Sequence, residues 1–294
     1  ISEAVGGLEV DRREVQTGLG RRAPRRRRAG TGPADRHRVS AADPGTLAAL
    51  GIDIGGSGIK GAPVDLVAGD FAADRLRIDT PSKSTPKDVA KVCAEIIANF
   101  SDVIGDDAPV GITLPAPVVH GKVPFIANLD QEWRGLEADK FLEDKLGRAI
   151  TLVNDADAAG VAEVHFGAAK GVQGFVILTT LGTGIGSALI INGQLVPNSE
   201  LGHLEIDGAV AESRAAASVR EAEGLSWSEW AARLQRYYAH VERLFTPDLF
   251  VVGGGVSKHA DKYLPLLDLR TPIAPAARRN RAGIIGAATV AAGD

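Results

Sequence analysis

Residues 53–61 read DIGGSGIKG and place four glycines beside one aspartate, directly after an apolar run. Glycine loses more backbone entropy on folding than any other residue, so a glycine cluster marks a place where another group comes close to the main chain. Exposed backbone N–H groups suit a phosphate. Because neither the P-loop pattern nor the dinucleotide-binding glycine fingerprint is present, the stretch predicts a phosphate site of another kind.

A second stretch repeats this pattern. Residues 50–64, LGIDIGGSGIKGAPV, and residues 176–190, VILTTLGTGIGSALI, each read as a strand, a glycine-rich turn and a returning strand, and VVGGGVSK follows at 251–258. Tight hairpin geometry alone would explain one such turn. Two in register predict two related lobes that face each other across a cleft and present backbone N–H groups to the same polyphosphate.

Composition and charge limit the class of protein. The 294 residues are 45% hydrophobic and 24% charged, which is typical of a globular chain, and no run of about 18 apolar residues predicts a membrane span. The single cysteine, Cys93, cannot form an internal disulfide, which agrees with a reducing cytoplasm. We therefore expect a cytoplasmic protein with no membrane partner.

The charge is unevenly distributed along the chain. The net charge is −4, yet residues 1–48 contain ten arginines against six acidic residues. Residues 1–46 are rich in Arg, Gly and Pro without apolar periodicity, which predicts a disordered arm. Such an arm is either a solvated tail or a segment that holds a polyanion by charge alone.

Apolar periodicity predicts two successive α/β series. The first has strands over 47–54, 59–67, 75–80 and 110–114, and a helix from Pro86 with Thr85 as N-cap, Asp88 closing a capping box and an apolar stripe from Val89 to Val103. The second has a strand at 149–155, a helix at 155–167, a hairpin at 174–194, a helix at 226–245 and a strand from 248. We predict an N-terminal lobe over 47–153, a C-terminal lobe over 154–280, and a helix at about 281–294 that packs back on the first lobe.

Two aspartates are candidates for chemistry between the lobes. Asp53 precedes the first glycine turn, where it could hold a hydrated Mg²⁺ or simply cap the turn. Asp155 lies where a strand meets a helix, a position that points side chains into a cleft. Asn154, Asp155 and Asp157 all qualify as the helix N-cap, so spacing alone does not choose the catalytic carboxylate.

Polar side chains near residue 200 suit a polyol. Glu200 and His203 in NSELGHLEIDG, with Asn128 in IANLD, could each hydrogen-bond the adjacent hydroxyls of a sugar. A lone histidine such as His203 is more often ordinary structure than a ligand. The other histidines have no ligand spacing, which argues against a histidine zinc site.

Five segments in this order resemble the ROK family of sugar kinases, within the hexokinase/actin-like ATPase superfamily. They are DIGGSGIKG, VNDADAAG, LGTGIGSALIINGQ, ELGHLEID and VVGGGVSK, and the resemblance runs from about residue 48 to the end. The run after ELGHLEIDG looks like the branch of glucokinases and glucomannokinases that use polyphosphate or ATP. The resemblance implies a two-lobed, ribonuclease H-like α/β fold.

The same resemblance implies phosphorylation of the 6-hydroxyl of glucose, and of mannose in some members, from polyphosphate or ATP. Asp155 would be the general base, and Asp53 would hold Mg²⁺ through water. The implied sugar ligands are Asn128, Asn154, Asp155, Glu200 and His203. The implied phosphate and nucleotide contacts are Asp53, Gly55, Gly56, Ser57, Gly58, Lys60, Gly182, Thr183, Gly184, Gly254 and Gly255.

The sequence departs from many ROK members because no cysteine lies beyond Cys93, so we expect no structural zinc and favour the polyphosphate-using branch. A groove that binds polyphosphate needs cations, and the chain offers Lys60, Lys258, Arg278, Arg279 and Arg281. The alternative is that these side chains form a solvated basic face. The alternatives are a hexose kinase that uses ATP only and a non-catalytic sugar sensor. We expect no nucleic-acid partner, and either a monomer or a homodimer.

Overall fold

A computed structural model describes residues 48–293. The predicted arm over 1–46, together with Leu47 and Asp294, lies outside the described residues. None of the helices between residues 48 and 293 is long and apolar enough to cross a membrane.

The first half of the described chain forms one mixed sheet with two helices. Strand β1 pairs antiparallel with β2 and parallel with β5, which in turn pairs parallel with β6. The order of strands is β3-β2-β1-β5-β6, and β4 pairs with β2. The elements are β1 (Ala48–Ile54), β2 (Ile59–Asp65), β3 (Asp70–Phe71), β4 (Leu76–Ile78), α1 (Pro86–Ile104), β5 (Val110–Leu114), α2 (Ala138–Leu146) and β6 (Thr151–Asn154).

Helix α1 begins at Pro86 with Thr85 as N-cap, as the sequence predicts, but the predicted capping box is replaced by a bond from the Thr85 hydroxyl to the Asp88 carboxylate at 2.9 Å. The Thr85 side chain accepts a hydrogen bond from the Asp88 N–H, and Pro86 occupies the first helical turn. The predicted apolar stripe is buried from Val89 through Phe100. The prediction that Val103 belongs to the buried stripe is wrong, because Val103 is 48% exposed. Ile104, one position later, packs against the core instead.

The second half forms a second mixed sheet. Its order is β9-β8-β7-β12-β13, with β7 antiparallel to β8 and parallel to β12. The elements are α3 (Asp155–Phe166), β7 (Phe175–Leu181), β8 (Ile185–Ile191), β9 (Gln194–Val196), β10 (Glu205–Ile206), β11 (Ala209–Val210), α4 (Glu212–Ala215), α5 (Ala217–Ala222), α6 (Trp227–Phe245), β12 (Leu249–Gly253), β13 (Ile273–Pro275) and α7 (Ala282–Ala291).

The two sheets have the same strand arrangement, as the internal repeat predicts. In each, a central strand pairs antiparallel with the strand that follows its glycine turn, and parallel with the strand on its other side. Thus β1, β2 and β5 correspond to β7, β8 and β12. Each glycine turn therefore follows the C-terminal end of the central strand of its own sheet.

Helices α3 and α7 lie between the two sheets. Their apolar residues share one core cluster with residues of both sheets. Helix α7 approaches β1 so closely that a Cβ added at Gly51 would overlap the Ile284 carbonyl oxygen, and one at Gly286 would overlap the Ala158 carbonyl oxygen of α3. The predicted lobe boundaries after residues 153 and 280 remain a prediction.

Candidate active site

A cavity of about 670 Å³ brings both glycine turns to one place. The sequence placed Gly56 and Gly182 on facing lobes, and both line this cavity together with Asp155. The other predicted site residues that line it are Asp53, Gly55, Ser57, Lys60, Asn128, Asn154, Thr183, Gly184, Glu200, His203 and Gly254. Gly58 and Gly255 are not among its lining residues.

Asp53 is held by the strands on either side of it. The sheet register places Asp53 beside Lys60 on β2 and beside Thr113 on β5. The Thr113 hydroxyl donates to Asp53 Oδ1 at 3.0 Å, and Lys60 Nζ lies 3.6 Å from Asp53 Oδ2. The carboxylate is thereby oriented by one hydrogen bond and one ion pair.

Asp155 is the first residue of α3, and its neighbour Asn154 is the N-cap. The Asn154 side-chain oxygen accepts from the N–H groups of Ala156 and Asp157, which settles the choice among the three possible caps. Asp155 Oδ1 also accepts from the Ala156 N–H at 2.8 Å, and the carboxylate lines the cavity. Burial, with the nearby charge of Asp53, raises the pKa of Asp155 to about 7.

Glu200 and His203 approach the cavity from the loop after β9. Burial raises the pKa of Glu200, while His203 opposes that shift. His203 is half-exposed, and its ring lies 6.2 Å from that of Phe125 at a tilted angle. Carboxylate, imidazole and the amides of Asn128 and Asn154 therefore line the same cavity, a combination that can hydrogen-bond adjacent hydroxyls.

A buried carboxylate that sequence reasoning treated only as a possible cap supports this loop. Asp157 Oδ2 accepts from the Asn198 N–H at 2.8 Å. The Asn198 side chain in turn exchanges two hydrogen bonds with the Val118 backbone, at 2.8 and 3.0 Å. Burial raises the pKa of Asp157 to about 7. These bonds tie the Glu200 loop to the loop that follows β5.

Arg77 supports the first glycine turn and was missed from the sequence. Its guanidinium donates to the Ser57 carbonyl at 2.8 Å and pairs with Asp79 at 2.6 Å. A side chain at Gly58 would overlap this guanidinium, so Gly58 serves the back of the turn and not the cavity wall. Arg77 is separated from Ser57 by a whole strand, and no local pattern connects the two.

The second glycine turn borders a smaller cavity of about 390 Å³, because Gly182 and Thr183 line both cavities. Gly255 lies in this second cavity, whereas Gly254 has φ +82° and packs on the Leu181 backbone, a conformation that favours glycine. The remaining lining side chains include Arg220, Trp227, Lys258 and His259.

The basic run near residue 280 contributes less to the cavity than the sequence suggested. Arg278 donates to the Phe166 carbonyl oxygen at 2.8 Å, and Arg281 pairs with Asp70 at 2.6 Å. Arg279 lines the main cavity, as Lys60 does. Arg278 and Arg281 are therefore engaged elsewhere and do not line the predicted basic groove.

The carboxylates of the cavity suit a hydrated magnesium ion. Asp53 and Asp155 are hard oxygen donors, and the charge of Asp53 adds to the effect of burial in raising the pKa of Asp155, a repulsion that a nearby dication would relieve. Among residues 48–293, no group of three or more His, Cys, Asp or Glu side chains could enclose a metal. A cation here would keep most of its water and contact one or two carboxylates.

Comparison with known proteins identifies the family. The model of the ROK family matches residues 49–223. The chain belongs to the ROK family. This confirms the resemblance carried by the glycine turns, and the match includes Asp155 and the Glu200–His203 segment.

Two ROK relatives resemble the chain over most of its length. It is 49% identical to the polyphosphate glucokinase of Mycobacterium tuberculosis over 246 residues, covering 83% of this chain and 91% of the relative. It is 53% identical to the inorganic polyphosphate/ATP-glucomannokinase from Arthrobacter sp. strain KM, with a TM-score of 0.79 and coverage of 84% and 98%.

A more distant ROK structure shares the fold. The glucokinase from Streptomyces griseus, solved in complex with glucose and AMPPNP, is 24% identical, with a TM-score of 0.72 and coverage of 84% of this chain and 100% of that one. Together with the family match and the glucomannokinase structure, this confirms the predicted α/β fold of the actin-like ATPase/hexokinase type.

Proposed function

We propose that this chain transfers a phosphoryl group from inorganic polyphosphate or ATP to the 6-hydroxyl of glucose. The observation that carries the proposal is Asp155, a carboxylate with a raised pKa in a cavity that both glycine turns line. Support comes from two relatives that are 49% and 53% identical to this chain, a polyphosphate glucokinase and a polyphosphate/ATP-glucomannokinase.

Asp155 is the proposed general base. As the glucose O6 attacks phosphorus, its proton passes to the Asp155 carboxylate, the new O6–P bond forms and the bond to the bridging oxygen breaks. The leaving group is ADP or a polyphosphate shorter by one unit. A pKa of about 7 suits this role, because the carboxylate is ionised in a large fraction of molecules near neutrality and is a stronger base than an ordinary aspartate.

The sugar would be held by Asn128, Asn154, Glu200 and His203, all of which line the cavity. Hydroxyls that meet both carboxylate and amide groups are fixed in direction, which brings O6 into line for attack. Mannose differs from glucose in one hydroxyl, so its use depends on a single polar contact.

The donor would lie against the two glycine turns, with backbone N–H groups and Lys60 facing its phosphates. Asp53 would hold Mg²⁺ through water, and the ion when bound would neutralise the charge of the transferred phosphate. The adjoining cavity at Gly182 and Thr183 would take the rest of the donor, whether further phosphates or a nucleoside.

The deciding experiment measures initial rates with ATP and with polyphosphate, each against glucose, mannose and fructose. We expect turnover with glucose from polyphosphate. Turnover from ATP alone would favour an ATP-dependent hexose kinase, and glucose binding without turnover would favour a sugar sensor. A cytoplasmic location, the absence of a nucleic-acid partner and a monomer or homodimer remain predictions.

A matched pair of variants tests the base. Asp155→Asn keeps the shape of the side chain and should retain glucose binding while losing about 10²-fold or more of turnover. Asp102→Asn, exposed on α1, is the control and should leave both unchanged. Near-normal turnover in Asp155→Asn would remove Asp155 from the catalytic role.

A further inference from the structure

Asn198 lies directly behind the cavity wall that carries the proposed sugar ligand Glu200. Ser199 and Glu200 line the cavity, whereas Asn198 is not among the lining residues. We propose that Asn198 is a positioning residue, which ties the loop of Glu200 to the loop that follows β5 and so holds the sugar side of the cavity in its binding conformation. This inference rests on the proposed function, because it concerns glucose binding in the same cavity.

The Asn198 side chain pairs with the backbone of one distant residue. Its Oδ1 accepts from the Val118 N–H at 2.8 Å, and its Nδ2 donates to the Val118 carbonyl at 3.0 Å. A side-chain amide has a donor and an acceptor side by side, which matches the two polar backbone groups of a single residue. Because Val118 follows β5 of the first sheet and Asn198 follows β9 of the second, these bonds connect the two halves of the described chain.

Helix α3 fixes the backbone of Asn198 at the same time. The Asn198 N–H donates to Oδ2 of Asp157 at 2.8 Å, and Asp157 is buried two positions after the proposed base, Asp155. Asn198 also has φ +64°, in the left-handed region that asparagine adopts more readily than most residues. One residue therefore joins three segments, which are the loop after β9, the loop after β5 and the start of α3.

Both loops that Asn198 joins form part of the cavity wall. Residues 115–117, directly before Val118, line the cavity. Glu200, two positions after Asn198, lines it as well. The bonds between Asn198 and Val118 therefore fix the separation of these two wall segments.

The Glu200 loop has a second support that does not involve Asn198. The Ser187 hydroxyl on β8 donates to the Ser199 carbonyl at 2.9 Å and accepts from the Leu201 N–H at 2.9 Å. Loss of the Asn198 side chain should therefore loosen the loop without unfolding the protein. When only a fraction of the molecules holds the loop in the binding conformation, the apparent dissociation constant for the sugar rises, while the bound complex is unchanged.

A glycine substitution tests the side-chain bonds alone. Asn198→Gly removes both bonds to Val118, keeps the backbone N–H and permits the positive φ. We expect the KM and the dissociation constant for glucose to rise about three- to tenfold, with kcat and the KM for polyphosphate changed less than about twofold.

Asn192→Gly is the matched control. Asn192 also has a positive φ, +51°, and its side chain accepts from the Gly174 N–H at 2.9 Å, yet neither residue lines the cavity. This control should leave the KM and the dissociation constant for glucose unchanged. If Asn198 contributed to stability alone, both variants would lower the Tm without affecting glucose binding, and that result would overturn the inference.

Substitutions at Asp157 test the backbone anchor. Asp157→Ala removes the acceptor of the Asn198 N–H and should also weaken glucose binding. Asp157→Asn has the same size and keeps a side-chain oxygen for that N–H, so it should restore most of the affinity lost in Asp157→Ala. Equal weakening in the two variants would overturn the proposed anchor.

Hydrogen exchange gives a readout that does not depend on activity. In the absence of sugar, the Val118 N–H should exchange faster in Asn198→Gly than in the wild type, because its acceptor is gone and the loop opens more often. Unchanged exchange at Val118 would contradict the proposed tie between the loops.

Two further measurements keep the outcome readable if a variant or the activity fails. Should Asn198→Gly not fold, Asn198→Asp decides the question, because it keeps the size but places an oxygen against the Val118 carbonyl and should weaken glucose binding likewise. Should the wild type bind glucose without phosphoryl transfer, the proposed function fails and titration calorimetry with glucose still tests the inference. Weaker binding in Asn198→Gly than in Asn192→Gly would support it, whereas equal binding, or no glucose binding by the wild type, would overturn it.

Discussion

Asp155 keeps a carboxyl group where ionisation is unfavourable. Burial and the charge of Asp53 raise its pKa to about 7, above the ordinary value of an aspartate. Between these two values the native state binds a proton that the unfolded state releases. The free energy of unfolding therefore falls as the pH rises through this window, since the native state must then hold the charged form.

We expect Asp155→Asn to be more stable than the wild type above pH 7, because the amide is never charged. The difference in Tm should be small at pH 5 and larger at pH 8, and each kcal/mol gained corresponds to about 2–4 °C. Calorimetry at the two pH values without ligands measures it. Asp102→Asn should show no such widening, and an equal Tm difference for Asp155→Asn at both pH values would contradict the expectation.

The β1–β2 hairpin shows how an element can be read from sequence while its support cannot. Its two strands and glycine turn follow from residues 50–64, and the two strands pair antiparallel across that turn as predicted. The turn is held from behind by Arg77 on β4, through the 2.8 Å bond to the Ser57 carbonyl. Strand β4 supplies this contact only because it pairs with β2.

Arg77→Ala should weaken donor binding through the first glycine turn. Without the guanidinium, the Ser57 carbonyl loses its donor and the turn becomes less ordered, so we expect the KM for polyphosphate to rise about two- to fivefold with little change in the KM for glucose. Steady-state kinetics measure both values. Arg75→Ala, exposed one residue before β4, is the control; a matching effect there would rule out a specific role for Arg77.

The chain has a net negative charge, and the proposed phosphoryl donors are also anionic. Repulsion from the acidic body must be offset by cations near the cavities. Arg279 lines the main cavity and Lys258 lines the adjoining one. Polyphosphate carries charge along its whole length, whereas ATP ends in a neutral nucleoside that gains less from distant cations.

The double substitution Lys258→Ala and Arg279→Ala should therefore raise the KM for polyphosphate about three- to tenfold, and the KM for ATP less. The difference should shrink at high salt, because exposed charges are screened. Parallel titrations with both donors at two salt concentrations measure it. Arg281→Ala, paired with Asp70 outside the cavity lining, is the control, and equal effects on both donors would contradict the proposed groove.

Local signals account for what could be predicted from the chain alone. Apolar periodicity, the Thr85 cap and the repeated glycine turns depend on residues close together in sequence, and they indicated the α/β class and the two matching sheets. The resemblance to the ROK family supplied the candidate site residues, and all of these except Gly58 and Gly255 line the cavity. The backbone conformation of each such stretch is decided largely by its own residues, which is why these features are legible without a structure.

Long-range pairing decided the rest. Glu212 meets Ile185 across 27 positions, Arg77 meets Ser57 across 20, and Arg281 meets Asp70 across 211. No spacing rule connects such partners, because they meet only after strands have paired in register and helices have packed between the sheets. The same packing turned two predicted cations, Arg278 and Arg281, away from the cavity, since a side chain's partners are set by the surface that the folded chain builds around it.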